Sequence, residues 1–226
     1  MGEKMAPTLV SIQVGKPQTH AAETKKEWES GIFKSTVNGP IWLGQLNLVG
    51  DGQQDLSVHG GPFRAVLAYS ADYYPTWRET LGIPNFGYGA FGENFTISGL
   101  NETQVCLGDI YQIGEAMVQA SQPRQPCWKL ARRWGQKKLT ALVEQSNRGG
   151  WYFRVLTEGH VDAGQPVVLQ QRTMSAYPMA RVNALIKEWE EPGEIGAAYA
   201  ELAAAEALTP SWRAYFAERA NQTSQP

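Results

Sequence analysis

Cys127 is the side chain with the clearest chemical potential in this sequence. It follows Pro126, which fits the first position of a helix predicted over Pro126–Trp134. The unpaired N–H groups and the dipole of a helix N-terminus stabilise negative charge, and the cations Arg124 and Lys129 lie nearby in the chain. We therefore expect a lowered thiol pKa at Cys127, which would make it a nucleophile, a redox thiol or a ligand for a soft metal.

The second cysteine, Cys106, has a different setting. Val105 and Leu107 flank it, so we expect a buried, inert thiol inside an apolar strand. Two cysteines cannot build a disulfide framework, and alone they do not make a structural zinc site.

The segment around Cys127 is locally positive. No acidic residue occurs from Ala116 to Val143, although the whole chain carries a net charge of −2. This distribution favours one anionic ligand over general attraction to nucleic acid, while solvated helix faces remain an alternative explanation. The cations are Arg124, Lys129, Arg132, Arg133, Lys137 and Lys138.

Two further segments carry groups that could complete a site. In His59-Gly60-Gly61-Pro62 the backbone N–H groups could converge on an anion, and the imidazole could donate a hydrogen bond or a proton. The alternative is a tight turn with a surface histidine. Phe91-Gly-Glu-Asn94 opens a predicted strand, and a plain β-turn is its simplest interpretation.

Two arginines are placed unusually. Arg64 begins the apolar run that ends at Tyr69, and Arg154 lies inside the apolar strand predicted over 151–157. A charged side chain in such a strand either points into a polar cavity or extends to solvent at an edge.

Several enzyme classes lack their motifs here. The sequence contains no Gly-x-Ser-x-Gly elbow, no phosphate-binding Gly-x-x-x-x-Gly-Lys loop, no Gly-x-Gly-x-x-Gly turn and no zincin spacing of histidines. A cysteine hydrolase using Cys127 with His59 stays open on residue types alone. The apolar runs are too short for a membrane span, and the polar N-terminal segment predicts a cytoplasmic location.

The pattern of elements predicts an α+β fold with two regions. Residues 1–172 are rich in glycine turns and short strands, which favours a β-barrel-like core, and residues 173–226 predict three helices. Apolar residues on these helices, including Trp189, Trp212 and Phe216, are expected to form a small core, with Thr209 capping the last helix. The predicted strands are 9–15, 64–69, 94–98, 109–113, 116–121, 151–157 and 166–171. The predicted earlier helices are 70–82, capped by Ser70, then 126–134, and a short amphipathic segment with Leu139, Leu142 and Val143 that ends before Asn147.

Taken in order, these segments resemble the signature series of MOSC domains, the molybdenum cofactor sulfurase C-terminal domains. The resemblance covers the chain from about Thr8 onward and is greatest to the YiiM-type bacterial members, in which a helical segment follows the β core. Each motif alone is weak, but the ordered set is specific. The matching segments are Gly50-Asp-Gly-Gln-Gln-Asp55, Val58-His-Gly-Gly-Pro62, Arg64-Ala-Val66, Phe91-Gly-Glu-Asn94, Gly108-Asp109 and Ser121-Gln-Pro-Arg-Gln-Pro-Cys127.

The resemblance implies a β-barrel-like core that binds the molybdenum cofactor, with Cys127 as the protein ligand of the metal and Arg124 in contact with the anionic pterin. It also implies reduction of N-hydroxylated small molecules, such as hydroxylaminopurines and amidoximes, to amines or amidines. By the same resemblance, we expect the reaction to detoxify its substrates, to need no pyridoxal phosphate and to draw electrons from a flavoprotein or a similar donor. The remaining pocket residues would be His59, Gly60, Gly61, Arg64, Asn94, Ser121 and Arg154.

Two alternatives to the reductase remain open, and one departure from the family pattern affects the cofactor site. The chain could be a non-catalytic carrier of the cofactor or of sulfur, or the cysteine hydrolase described above. YiiM-type members often have a lysine shortly before Val-His-Gly-Gly-Pro, whereas Asp55-Leu-Ser57 stands here, and Phe63 replaces a common acidic residue. Arg64 or Lys129 would then supply the missing positive charge. His59 is the candidate proton donor, because imidazole titrates near neutral pH.

Overall fold

The computed structural model describes residues 6–22, 25–187 and 194–223. Short strands dominate the chain to residue 171, and helices follow. The strands are β1 (Thr8–Val14), β2 (Gln18–Ala22), β3 (Lys25–Ser30), β4 (Ser35–Thr36), β5 (Ile41–Leu43), β6 (Val66–Ser70), β7 (Phe95–Ser98), β8 (Ile110–Ile113), β9 (Ala116–Pro123), β10 (Trp151–Thr157), β11 (Gly159–Val161) and β12 (Val167–Gln171). The helices are α1 (Leu56–His59), α2 (Tyr74–Leu81), α3 (Trp128–Trp134), α4 (Leu139–Ser146), α5 (Met179–Lys187), α6 (Glu194–Ala204) and α7 (Pro210–Thr223), with 3-10 turns at Pro62–Arg64 and Ala71–Tyr73.

Eight strands form one curled sheet in the order β12-β8-β9-β10-β6-β7-β1-β4. Strands β6 and β7 are parallel, and the other neighbouring pairs are antiparallel. The sheet curls until the segment entering β12 meets β1, where the Leu9 N–H donates to Gln165 O at 2.9 Å and the Val167 N–H donates to Pro7 O at 2.8 Å. The predicted fold class, a β-barrel-like core followed by C-terminal helices, is confirmed.

The main hydrophobic core fills the inside of the curled sheet and continues into the C-terminal helices. Leu107 and Tyr111 of the sheet region belong to the same buried cluster as Leu202 and Phe216 of α6 and α7. A second cluster of aromatic and aliphatic side chains lies between α2, α3 and α4. Its central ring is Phe91, which stacks on Tyr69 with their centroids 4.1 Å apart. The loop that carries Phe91 is therefore fixed by packing, which matters for the site described below.

Most predicted strands are confirmed, but two expectations are wrong. The strand expected from Arg64 begins at Val66, because Pro62–Arg64 forms a 3-10 turn whose Arg64 N–H donates to Gly61 O at 3.0 Å. Cys106 lies outside any strand, in a loop that makes an isolated bridge with Pro178. Its expected burial is confirmed, at 3% exposure.

The helix predictions need similar corrections at their starts. The segment predicted over 70–82 is a 3-10 turn followed by α2, with Pro75 in the first turn of α2, where a missing N–H costs nothing. The Ser70 side chain makes no capping hydrogen bond. Helix α3 starts at Trp128, with Cys127 as its N-cap, so Pro126 is not its first residue.

The three C-terminal helices are present as predicted. Pro210 opens α7, and the Trp212 N–H donates to Thr209 Oγ1 at 3.4 Å, which confirms the cap. Phe216 is fully buried and stacks on Tyr199 with their centroids 5.8 Å apart. Trp189 lies outside the described residues.

Candidate functional site

Two adjoining cavities open beside Cys127, with volumes of about 90 Å³ and about 440 Å³. The larger of the two falls in the range that small-molecule sites occupy. The first, which we name the cationic cavity, is lined by Lys34, Arg124 and Asn94 among others; the second, the tryptophan cavity, is lined by Trp128 and Trp212 among others. Six residues line both: Asp55, His59, Arg64, Cys127, Lys129 and Tyr152.

Cys127 reaches the cavities from the N-cap position of α3. Its backbone is extended, with φ −110° and ψ 162°, and its carbonyl accepts the Leu130 N–H at 3.1 Å. An N-cap side chain faces the free N–H groups of the first turn, which favours an anion there. The sequence analysis placed Cys127 at the second position of the helix, two positions beyond the N-cap that it occupies, and the expected electrostatic setting of a helix N-terminus is nevertheless present.

The thiol pKa of Cys127 is lowered to about 7. Burial is the largest influence and by itself raises this pKa. Hydrogen bonding by His59, the positive charge of Arg124 and the Lys129 backbone N–H act in the opposite direction and outweigh burial. At neutral pH a large share of the side chain is thus thiolate, the form that attacks electrophiles and binds metals.

His59 is the last residue of the single-turn helix α1. Asp55 caps that turn, accepting the Ser57 N–H at 3.0 Å, and the His59 N–H donates to Asp55 O at 2.9 Å. Gly61 follows with φ +89° and ψ 171°, a conformation that is essentially restricted to glycine. Gly60 and Gly61 thus shape the turn that presents His59, and neither is among the residues that line the two cavities.

Arg124 is buried at 5% exposure and brings an unpartnered donor to the cationic cavity. Its Nη2 donates to Phe91 O at 3.2 Å, and its backbone N–H donates to Gly150 O at 3.0 Å. Nη1 is buried and has no hydrogen-bond partner among the described residues. A buried guanidinium with an unused donor is expected to bind an anionic acceptor.

A second cation, Lys34, lines the same cavity. Its ammonium pairs with Asp51, whose carboxylate also accepts from Asn94 Nδ2 at 2.8 Å and from the Gly15 N–H at 2.9 Å. Burial lowers the pKa of Lys34, while Asp51 opposes that change. Asn94 also accepts the Leu67 N–H through Oδ1 at 3.1 Å. Within the cavity, Asn94 thus holds the Lys34–Asp51 pair in place.

Ser121 and Tyr152 lie at an irregularity in the β9–β10 ladder. The register shifts so that Tyr152 opposes Gln122 while Phe153 opposes Ala120, which leaves Ser121 as the additional residue. Its hydroxyl donates to Phe63 O at 2.6 Å and is also within hydrogen-bond distance of Tyr152 O, at 3.1 Å. Bulges of this kind re-aim side chains beside functional sites. Tyr152 lines both cavities, whereas Ser121 lines neither and instead hydrogen-bonds to the backbone of Phe63 and Tyr152.

Arg154 is held away from the two cavities. Its Nε donates to Gln119 Oε1 at 2.7 Å and its Nη1 to Glu206 O at 3.2 Å, while its guanidinium lies 5.4 Å from the centroid of the Phe63 ring. The cavity-lining residues do not include Arg154. Its contacts join the sheet to the loop before α7.

The positive segment separates into cations with different roles. Lys129 lines both cavities and donates from Nζ to Glu29 O at 2.8 Å and to Gln54 Oε1 at 2.9 Å. Arg133 instead donates to the carbonyls of Ile32, Gly89 and Ala90, so it braces loops. Lys137 and Lys138 are exposed. Part of the positive segment thus faces the cavities, whereas Lys137 and Lys138 lie on the solvent-exposed surface, as the alternative explanation expected.

Sequence reasoning missed several residues of these walls, and four of them matter for the argument below: Lys34, Gln122, Tyr152 and Trp212. Lys34 follows an apolar pair, Ile32-Phe33, which is the one local signal that its stem would be buried. Gln122 lies inside the Ser121–Cys127 motif, but a glutamine within a strand carries no distinctive pattern. Tyr152 and Trp212 resemble core aromatics in the sequence, and their exposure to a cavity depends on tertiary packing.

The residues described contain no group of three or more His, Cys, Asp or Glu side chains that could together hold a metal ion. In that same part of the chain, no helix has the length and apolarity needed to cross a bilayer.

Comparison with known proteins gives a consistent result. A family model described as the MOSC domain matches residues 55–168. The chain is 42% identical over 212 residues to YflK of Bacillus subtilis, covering 94% of each protein. It is 33% identical over 178 residues to a protein of Gibberella moniliformis named "Reductase", covering 75% of this chain and 32% of that one. The crystal structure of YiiM from Geobacillus stearothermophilus superimposes with a TM-score of 0.78 at 38% identity, covering 95% of this chain and 99% of that chain.

Proposed function

The chain belongs to the MOSC domain family, and from that premise we propose that it is an oxidoreductase whose cationic cavity binds the molybdenum cofactor. The observation that carries the proposal is the buried Arg124 Nη1, without a partner among the described residues, in the cavity that Cys127 lines with a pKa near 7. An unused guanidinium donor fits an anionic group, and a thiolate fits a soft metal.

The residues present fit this cofactor. Molybdopterin carries a phosphate and a metal with anionic ligands, and the cationic cavity offers Arg124, Arg64, Lys34 and Lys129. The Arg64 guanidinium makes no hydrogen bond to the residues described, so it is available to a ligand. Arg64 and Lys129 would supply the positive charge of the lysine that is missing before Val58, since both line this cavity. One thiolate, Cys127, would serve as the protein ligand of the metal.

When bound, the molybdenum cofactor supplies two-electron chemistry with transfer of an oxygen atom. The chain's own residues do the remaining work. Arg124 and the lysines fix the anionic cofactor, Cys127 anchors the metal, and the turn Gly60-Gly61 presents the imidazole of His59 beside the sulfur. His59 would hold and deliver a proton, because its imidazole hydrogen-bonds to Cys127, lines both cavities and can both accept and donate a proton.

The proposed reaction is the reduction of N-hydroxylated compounds, including hydroxylaminopurines and amidoximes. For an amidoxime, the N–O bond breaks, the oxygen leaves as water, and the amidine forms with consumption of two electrons and two protons. The electrons would come from a flavoprotein or a similar reductase. The relative named "Reductase" supports the general class of reaction.

The experiment that tests the proposal measures metal and turnover together. Protein made in a host that synthesises the cofactor is analysed for molybdenum and then given benzamidoxime with reduced methyl viologen as donor. We expect near-stoichiometric molybdenum and formation of benzamidine. Cys127→Ser should abolish turnover, whereas Cys106→Ser is the matched control that retains it, because Cys106 lies outside both cavities.

The two rival functions give different outcomes of the same experiment. Bound molybdenum without benzamidine formation would refute the reductase and support a carrier of the cofactor or of sulfur. Iodoacetamide-sensitive hydrolysis by metal-free protein, with a Cys127→Ser variant whose molybdenum content is unchanged, would support a cysteine hydrolase that uses Cys127 and His59. The interaction between these two side chains is the observation that keeps this rival in the test.

A further inference from the structure

The two cavities differ in the chemistry of the residues that line only one of them. Lys34 and Arg124 line only the cationic cavity, and their positive charges favour binding of an anion there. The residues that line only the tryptophan cavity carry no charge: Val58, Gln122, Gln125, Pro126, Trp128 and Trp212. The cavities meet at Cys127 and His59, so a group bound in the tryptophan cavity would face the same sulfur as a group bound in the cationic cavity.

We propose that the tryptophan cavity binds the substrate, and that Trp212 and Gln122 select compounds in which the N-hydroxylated group is attached to a flat aromatic ring and neighbours an N–H donor. This inference rests on the proposed function, because it assigns the substrate side of the same site. It gives the C-terminal helices a role in specificity through Trp212 of α7.

Gln122 provides the polar part of the argument. The residue is 3% exposed, and its Oε1 is buried without a hydrogen-bond partner among the described residues. Its place in β9 is fixed opposite Tyr152. A buried acceptor without a partner costs free energy, so a ligand that donates an N–H there gains the full benefit of the hydrogen bond. Amidines, amidoximes and aminated heterocycles all carry such a donor.

The two tryptophans provide the flat walls. Trp128 is 55% exposed and Val58 is 52% exposed at the edge of the cavity, an arrangement of uncovered apolar surface that commonly marks a binding site. Trp212 is held by its own helix, with its ring centroid 5.3 Å from that of Tyr215 and 6.0 Å from that of Phe216. Aromatic walls favour a ligand ring that can pack face or edge against them.

The test uses the molybdenum-loaded protein and two readouts. Isothermal titration calorimetry measures binding of benzamidine, and steady-state kinetics compares benzamidoxime with acetamidoxime, which lacks the ring. Gln122→Met keeps the side-chain length and removes the acceptor, Trp212→Leu removes the aromatic wall, and Trp212→Phe restores a ring. Trp42→Leu is the matched control, because Trp42 is a partly exposed tryptophan that packs on His160 outside both cavities.

We expect Gln122→Met to weaken benzamidine binding about fivefold to tenfold, as a lost hydrogen bond does. Trp212→Leu should raise the KM for benzamidoxime about threefold to tenfold, leave kcat and the KM for acetamidoxime unchanged, and be rescued by Trp212→Phe. Molybdenum content should stay constant in all variants. If Trp212→Leu does not fold, Gln122→Met decides the outcome alone.

The inference is overturned if benzamidine affinity is unchanged in Gln122→Met and Trp212→Leu, or if both substrates lose equally. Failure of the proposed function looks different: the wild-type protein would then reduce neither substrate despite bound molybdenum. The calorimetric measurement does not depend on turnover, so it still tests whether the tryptophan cavity binds a flat amidine.

Discussion

The lowered pKa of Cys127 can be tested by removing the imidazole beside it. We expect His59→Ala to shift the midpoint of Cys127 alkylation from about 7 to a higher pH, because burial, which raises the pKa, is then opposed only by Arg124 and the Lys129 N–H. A hydrogen bond to a charged group contributes about 1.5–3 kcal/mol, and one pKa unit corresponds to about 1.36 kcal/mol. The midpoint should therefore rise by about one to two pH units.

The assay is the rate of iodoacetamide alkylation as a function of pH, on cofactor-free protein so that no metal occupies the sulfur. A Cys106→Ala background leaves Cys127 as the one thiol, since the chain has two cysteines. The rate follows the thiolate, so it rises as the pH passes upward through the pKa. At pH 7 about half of the parent thiol is ionised, and about a tenth or less is ionised in His59→Ala.

The midpoint is a better measure than the rate at one pH, because a more basic thiolate is also more nucleophilic and partly offsets its lower population. His160→Ala is the matched control: His160 interacts with Glu115 at the surface and lines neither cavity. A parent midpoint of about 8.5, the value of a free cysteine, would refute the electrostatic account of the site. So would a midpoint that His59→Ala leaves unchanged.

Three further predictions concern the frame of the site, each measured by urea denaturation. Lys34→Met should cost about 3–5 kcal/mol by leaving Asp51 buried without its cation, and adding Asp51→Asn should recover part of that loss. Glu93→Gln should cost about 1–3 kcal/mol, because the carboxylate is fully buried and accepts from the Gly89 N–H at 2.6 Å and from other donors. Gly150→Ala should cost about 3 kcal/mol, since Gly150 has φ +84° and a Cβ would lie 2.4 Å from Ala68 O. If the urea concentration at the unfolding midpoint is unchanged in any of the three variants, the packing described here is contradicted.

The sequence could predict much of the site because its motif residues are local signals with physical causes. Glycines fix the turn that presents His59, and the chain after Pro126 places Cys127 at a helix N-terminus. The structure brings Arg64, Asn94 and Arg124 to the same cavity. Their convergence follows from the ladder in which β6 lies between β10 and β7, a pairing that no single segment encodes.

What the sequence could not predict depends on register and on contacts between distant segments. Tyr152 and Arg154 are two residues apart and share the face of β10 that points away from the core, where Trp151, Phe153 and Val155 lie. Arg154 is further along the strand and contacts Gln119 and Glu206, whereas Tyr152 lines the cavities. Where a cavity ends along a strand is decided by distant segments, so hydrophobic alternation gives no signal of it.

Contacts between distant segments also decide the role of the C-terminal helices, which the sequence alone did not indicate. Their apolar residues have the helical spacing of any amphipathic helix, and Phe216 does enter the common core. Trp212, four residues earlier and on the same face, extends past that core to the tryptophan cavity. Whether an aromatic side chain fills a core or walls a cavity is decided by what lies opposite, and here that surface belongs to residues 58–59 and 122–129, far away in the chain. The C-terminal helices therefore contribute a wall to the tryptophan cavity as well as side chains to the hydrophobic core.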